Sequence, residues 1–261
     1  MSLIVLANTV GRDAARMLVT DTSNTDSGSG YYATVTKAKS GPRYWKTALT
    51  TGAHRIVYIN KTNKLSFDYA VIARAKWHDS YDINILSFTT YPGTADTLST
   101  ITMADYVGPY SCDYVYSRGS VLEDREAVGI EYADTGYTKY FSQIFFCQSL
   151  TFEHAQPRMD FQLAPYMARP VRAFDNYWYL YATASFTLTN VTTSELDTWW
   201  SLPLSYGFFL YDDSGTATVG DFIEHKLWHC ILLSEQVIPI HDEFNNLALQ
   251  VGILRQWTYG C

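Results

Sequence analysis

Three groups of side chains in this sequence are of types and spacings that support chemistry. The stretch FDYAVIARAKWHDSYD, residues 67–82, closes on Trp77, His78, Asp79 and Tyr81. An indole and a phenol offer flat apolar faces on which a sugar ring stacks, and a neighbouring carboxylate accepts hydrogen bonds from sugar hydroxyls. The plain alternative is an aromatic plug that closes a sandwich end or packs on a neighbouring subunit. The segment EHKLWHC sets His225 and His229 four residues apart beside Glu224 and Cys230, with His241 as a further imidazole. Zinc takes such donors, but on a strand four residues span about 13 Å. Only a helical segment would bring that pair to one ion, so the expectation is ordinary strand histidines and no metal.

Glu123, Asp124, Glu126 and Glu131 in LEDREAVGIE, and Asp212 and Asp213 in YDDSG, are the residue types a glycosidase uses as acid and base. Charge clusters beside turns are usually solvated, and nothing in the spacing sets a second carboxylate across a groove. G-x-S-x-G, a phosphate-cradling glycine loop and H-E-x-x-H do not occur. The expectation is a chain with no catalytic residues and no cofactor.

The elements that must position these residues read as strands. Only 17% of the 261 residues are charged and 16% are aromatic, 21 of them Tyr, and polar turn residues recur throughout, as where short strands alternate with turns. From Tyr44 onward the strand signals are continuous. Ile56, Tyr58, Leu65, Phe67 and Tyr69 alternate with polar neighbours, and NKTNK reads as a turn between two strands. Ala70, Val71, Ile72 and Ala73 are uninterrupted by charge, as in a strand covered on both faces, with Arg74 to Asp82 as its exit loop. Ile83, Ile85 and Phe88 read as inward residues of another strand. EAVGIEYADTG and YFSQIFFCQSLTFE read as a pair joined at Asp134-Thr135-Gly136.

Helix signals are few. Residues 3–19 fit a short helix or an extended arm, and 20–32 a polar loop. In the second half Phe186, Leu188 and Val191 alternate. Thr193 or Ser194 then reads as an N-cap, with Glu195 and Asp197 in the first turn of a short helix near 193–201 that carries a buried pair, Trp199-Trp200, and stops at Pro203. A strand ending in a turn at Asp212-Asp213-Ser214-Gly215 follows, then two strand-rich segments with Leu247, Leu249 and Val251 alternating.

A net charge of −7 excludes a sequence-specific nucleic-acid binder that works by a basic face. No apolar stretch reaches 18 residues, and the start lacks a basic region ahead of a long apolar core, so neither a membrane span nor a secretory signal is expected. Cys112, Cys147, Cys230 and Cys261 are scattered and read as free thiols.

The order YWKTALTTGAHRIVYINKTNKLSFDYAVIARAKW, then REAVGIEYADTGYTKYFSQIFFCQSLTFEHAQP, resembles the galactose-binding-like (discoidin-type) jelly roll of tailed-bacteriophage structural proteins. There a W-x-x-x-x-x-T/S-G segment precedes a vDYvaIA strand, matched here by Asp68-Tyr69 and Ile72-Ala73. Cys147-Gln148 stands where the exit glycine is usual, and Lys76-Trp77-His78-Asp79 where an asparagine-rich loop is usual. The second half, with Phe186, Leu188, Glu195 and Phe208-Phe209-Leu210-Tyr211-Asp212 in order, is similar to the small β-barrels of phage tail-tube and distal-tail proteins.

The resemblance implies an all-β chain: an arm and flexible loop over 1–39, a jelly-roll β-sandwich over 40–155, and a tail-tube-like β-barrel or sandwich with one short helix over 156–261. It implies a non-enzymatic structural component of a virion tail or tail tip, made in the host cytoplasm. Such a component would assemble as a three- or six-fold homo-oligomeric ring with other tail proteins and dock fibres or host-recognition proteins. The alternative is a carbohydrate-binding module for host-surface glycans, with Trp77 and Tyr81 as the stacking platform.

Overall fold

The computed structural model describes residues 2–10, 16–21, 45–46, 52–76, 82–101, 114–134, 140–152, 164–173, 176–204, 207–213, 227–241 and 243–256. Among these the fold is all-β apart from the helix Thr193–Ser201 and helical residues at Thr9 and Val10. The strands are β1 (Ser2–Ala7), β2 (Arg16–Asp21), β3 (Trp45–Lys46), β4 (Gly52–Ile59), β5 (Leu65–Lys76), β6 (Ile83–Phe88), β7 (Asp96–Ile101) and β8 (Tyr114–Arg125). They continue with β9 (Ala127–Asp134), β10 (Tyr140–Thr151), β11 (Ala164–Ala173), β12 (Asn176–Thr192), β13 (Phe208–Asp213), β14 (Leu227–His241) and β15 (Phe244–Gln256). The helix α1 (Thr193–Ser201) lies between β12 and β13. By contacts the chain forms two compact units, Thr9–Gln148 and Met1–Asn8 with Ser149–Cys261. Residues 3–19, open between helix and arm in the sequence, hold most of the strands β1 and β2, each with a hydrogen-bonding partner far along the chain, and helical residues at Thr9 and Val10 between them.

The Thr9–Gln148 unit is a β-sandwich. One antiparallel sheet has the order β2-β4-β9-β6-β7, and in the other β5 lies between β8 and β10, with β3 also on β10. Ile56, Ile130 and Ile85 form one buried cross-strand row. Tyr58, two residues along from Ile56 and so on the same face, meets Phe146 of β10 edge-on at 5.6 Å, and Phe146 meets Phe67 at 5.0 Å. These contacts hold the two sheets face to face. Four consecutive residues of β5, Tyr69 to Ile72, are buried, so this strand is covered on both faces, as its uncharged run required. It leaves the ladder later than expected, since Arg74 and Lys76 still pair with Phe141 and Tyr140.

Two sequence expectations about pairing are corrected. The strands flanking NKTNK, β4 and β5, do not form a hairpin, and neither do β9 and β10; each pair is split between the two sheets. Asn60 supplies a local reason at the first crossing. Its Oδ1 accepts the backbone N–H groups of Thr62 and Asn63 at 3.0 and 2.9 Å, an Asx turn that redirects the chain without cross-strand bonds.

The helix-bearing unit contains a sheet of order β11-β12-β15-β14-β13-β1. One face carries Phe186, Leu188, Leu247, Leu249 and Val251, and α1 covers it with Leu196 and Trp199. The N-cap is Thr192, ahead of the expected Thr193 or Ser194. Its hydroxyl accepts from the Glu195 N–H at 3.2 Å while the Glu195 carboxylate takes the Thr192 N–H at 2.7 Å, a reciprocal capping box. The helix ends at Ser201 with Pro203 beyond it. The expected buried Trp pair is divided: Trp199 is fully buried and Trp200 is 55% exposed, because adjacent residues on a helix point about 100° apart. The expected turn at Asp212-Asp213 is still strand, pairing with Leu3 and Ser2 of β1.

Candidate functional site

The sequence-predicted binding loop, Trp77, His78, Asp79 and Tyr81, lies outside the described residues. So do Glu224, His225, Cys112 and Cys261, and the side chains of Glu123, Asp212, Asp213 and His241. The remaining candidates have structural duties. His229 is buried in β14 and stacks on the Phe209 ring at 4.7 Å. Because 227–241 is strand, His229 and His241 lie roughly 40 Å apart by strand rise, so they do not share an ion. No group of three or more His, Cys, Asp or Glu suited to a metal occurs among the described residues. Cys147 and Cys230 are buried free thiols whose titration burial pushes upward.

The carboxylates are likewise committed. Glu126 accepts from Lys64 Nζ at 2.8 Å and from the Tyr91 N–H at 2.9 Å, and these bonds hold its carboxyl below the usual range. Glu131 accepts from Arg55 Nε at 2.7 Å and faces Asn84 along the same row. Asp124 is exposed and takes a positive φ of 57° where β8 carries an extra residue against β5. These groups do not converge on a groove as a catalytic pair.

A concave surface appears instead on the open face of the helix-bearing unit, opposite the core. A trough of about 880 Å³ runs over β12, β15 and β14. Its floor is built of cross-strand rows: Ser185, Gln250 and Ser234, then Thr187, Ala248 and Gln236. The next position along β15 and β14 pairs Asn246 with Ile238. Strand spacing makes this floor roughly 13 Å long and 10 Å wide. Ser234 Oγ donates to Gln250 Oε1 at 3.3 Å, which leaves the Gln250 amide N–H groups directed elsewhere. Glu235, which pairs with the core residue Leu249, turns its carboxylate to the helix-covered face, where it takes the indole N–H of Trp199 at 2.8 Å. The floor is therefore neutral, rich in groups that both donate and accept, and flat at Ala248.

Two β-bulges decide which side chains reach this floor. On β14, Leu232 pairs with Val251 and Ser234 with Gln250, so Leu233 is the extra residue. Leu232 packs on the core before the bulge and Val237 after it, a change of parity that turns Ser234, Gln236 and Ile238 outward. On β12 the register shifts between Leu188 and Val191, where Asn190 takes a φ of 59°. Sequence reading did not single out the trough. Alternation of Ser185, Thr187 and Thr189 with Phe186 and Leu188 was its only local signal, and that pattern is equally the outer face of any solvated sheet.

No protein-family model matches the chain, and no curated protein matches it. Among solved structures, 54% of the chain is similar to part of a GH29 fucosidase from Ruminococcus gnavus, solved with fucose, at 15% identity, a TM-score of 0.38 and 26% coverage of that chain. A chitosan-binding module from the chitosanase/glucanase of Paenibacillus sp. IK-5 gives 12% identity and a TM-score of 0.37, covering 51% of this chain and 93% of that one. The CBM32 domains of Clostridium perfringens ZmpB, solved with GalNAc, give 11% identity and a TM-score of 0.39, covering 55% and 35%. Thus the matched part is about a quarter of the fucosidase's length. Likeness at these scores carries no weight for what this chain binds.

Proposed function

We propose that the chain is a non-enzymatic glycan-binding protein that holds a neutral oligosaccharide in the trough over β12, β15 and β14. The observation that carries this reading is the composition of the floor: hydroxyl and carboxamide side chains in register, on a rigid sheet, around the small Ala248. Hydroxyls and carboxamides both donate and accept, which complements a polyol, and the neutral floor gives an anionic ligand no counter-charge. The commitment of Glu126 and Glu131 to hydrogen bonds within the sandwich supports a binding rather than a hydrolytic role.

The test is glycan retention on an array followed by titration calorimetry with Ala248→Gln, which fills the floor from the open face and leaves the core face of β15 untouched. Affinity is expected to fall at least tenfold with an unchanged melting temperature. Wild-type affinity in Ala248→Gln would overturn the trough; loss of binding in Trp77→Ala alone would move the site to the Trp77–Tyr81 segment.

A second reading, self-assembly between copies of the chain, has one observation on its side. The tip of the β14–β15 hairpin exposes Ile238, Ile240 and Phe244 together, and clustered exposed apolar residues mark interaction surfaces.

A further inference from the structure

We infer that two copies of the chain join edge to edge along β14, antiparallel across a two-fold axis at Gln236, so that their sheets run on as one. On one side β14 pairs with β15 from Cys230 to His241. On the other, β13 meets it only from Leu227 to Cys230, so Ile231 to His241 have no second strand there among the described residues. Leu233 to Gln236 are exposed without a break, and Ile238 to Ile240 again. Successive strand residues point to opposite faces, so such runs mark a strand with solvent along its flank as well as over its open face.

An open edge offers N–H and C=O groups that another strand completes, and folded chains usually block it with lysines, prolines or bulges. Here the blocks stand only at the ends of a short window: the Leu233 bulge and Pro239. Proline keeps its place in a sheet where its nitrogen faces the open side. Alternation then turns the N–H and C=O groups of Glu235 and Val237 to that side too. Leu233 and Pro239 are equally far from Gln236, so self-pairing about Gln236 sets each copy's bulge against the other's proline and confines the ladder to the window between them. In that register Glu235 and the second copy's Val237 exchange backbone hydrogen bonds, and Ser234 faces the second copy's Ile238. The two Gln236 carboxamides, which both donate and accept, meet on the axis. No charge stands directly opposite a like charge, and the Glu235 carboxylate is turned to Trp199 on the helix-covered face. This is the isologous contact of a two-fold dimer. Its axis is perpendicular to the sheet, so both troughs open to the same side. On the trough reading above, Ser234 and Gln236 of the second copy then extend the floor past β14.

Sedimentation velocity of the full chain over a range of concentrations at neutral pH, without glycan, is expected to show a dimer. Gln236→Lys and Gln236→Glu each set like charges face to face on the axis and should raise the dissociation constant roughly tenfold or more; mixing the two variants should restore the dimer. Gln236→Cys would stand at a non-hydrogen-bonded pair with Cα atoms about 4.5 Å apart, within disulfide range, and should add a cross-link on mild oxidation that the wild type lacks. Ile240→Ser with Phe244→Ser, outside the window, should leave the dimer intact. A monomer at every concentration, a dimer indifferent to Gln236→Lys and not cross-linked through Gln236→Cys, or a dimer lost only in the Ile240 and Phe244 variant overturns the inference. Glycan binding by a monomeric chain would leave the trough reading standing, and a dimer that binds no glycan would leave this inference standing without it.

Discussion

His229 has 1% of its surface exposed, stacks on Phe209, and approaches Gly207 so closely that a Cβ there would lie 3.0 Å from its Nε2. Burial holds its imidazole down to about 3, from an ordinary 6.5. Between those values the unfolded chain binds the proton and the folded chain does not. The contribution to stability is therefore complete above about pH 6.5 and is lost as the pH falls, by up to about 1.4 kcal/mol per pH unit. Urea unfolding at pH 7 and pH 4.5 should show this, and His229→Phe, which keeps the aromatic stack, should make the difference smaller. A slope unchanged by that substitution would place the acid sensitivity elsewhere. The spacing of His225 and His229 suggested a metal to be weighed; the residue's actual environment, an aromatic ring in a buried strand, was not legible because Phe209 is brought to it only by β13–β14 pairing.

At the scale of the element, α1 shows how a nine-residue helix too short to persist alone is held in place. Its capping box satisfies its first turn, and Trp199 anchors it between Phe152 and Phe208, at ring distances of 6.1 and 6.0 Å, with its N–H on Glu235. Trp199→Ala is expected to cost about 3–5 kcal/mol, as for other buried large aromatics, Thr192→Ala about 1 kcal/mol, and Trp200→Ala no more than about 0.5 kcal/mol. Denaturant titration of the three variants checks the order; comparable losses at Trp199 and Trp200 would contradict the burial asymmetry. The helix and its stop were legible from Glu195, Asp197 and Pro203. Which Trp is buried was not, because that depends on the angle at which the capped first turn leaves β12. The bulge at Leu233 is a sheet-level counterpart: in the sequence it sits inside an apolar run, CILL, yet it is 43% exposed.

For the whole molecule, the choice lies between glycan capture on the sheet face and self-assembly through the hairpin tip. The two are separable because they make opposite demands on Ile240 and Phe244, which lie beyond the trough floor. Light scattering over a range of concentrations should give a discrete oligomer if the tip is an assembly surface, and Ile240→Ser with Phe244→Ser should return it to monomer. A monomer at every concentration, with glycan affinity intact in that double variant, would set the self-assembly reading aside. Neither reading calls for a membrane-spanning helix, and no helix among the described residues is long and apolar enough to cross one.

The sequence by itself determined the all-β class, the doubly covered strand around Ala70–Ile72, the inward positions Ile83 and Ile85, and the short helix before Pro203, whereas Phe88, expected on the same face, is buried on the opposite face of its sheet with Val57 and Ala127. Those are local properties: alternation, uninterrupted apolar runs, capping residues and a helix breaker each act within a few residues. Only the tertiary structure decided that β4 and β5, and β9 and β10, lie in different sheets, and that β1 pairs with β13 from the far end of the chain. It alone decided that a single extra residue at Leu233 turns Ser234, Gln236 and Ile238 onto an open face. Strand partners and bulges depend on which ladder receives a strand's hydrogen bonds. An alternating sequence presents the same pattern to every candidate ladder, so it states that a face is polar without stating what that face meets.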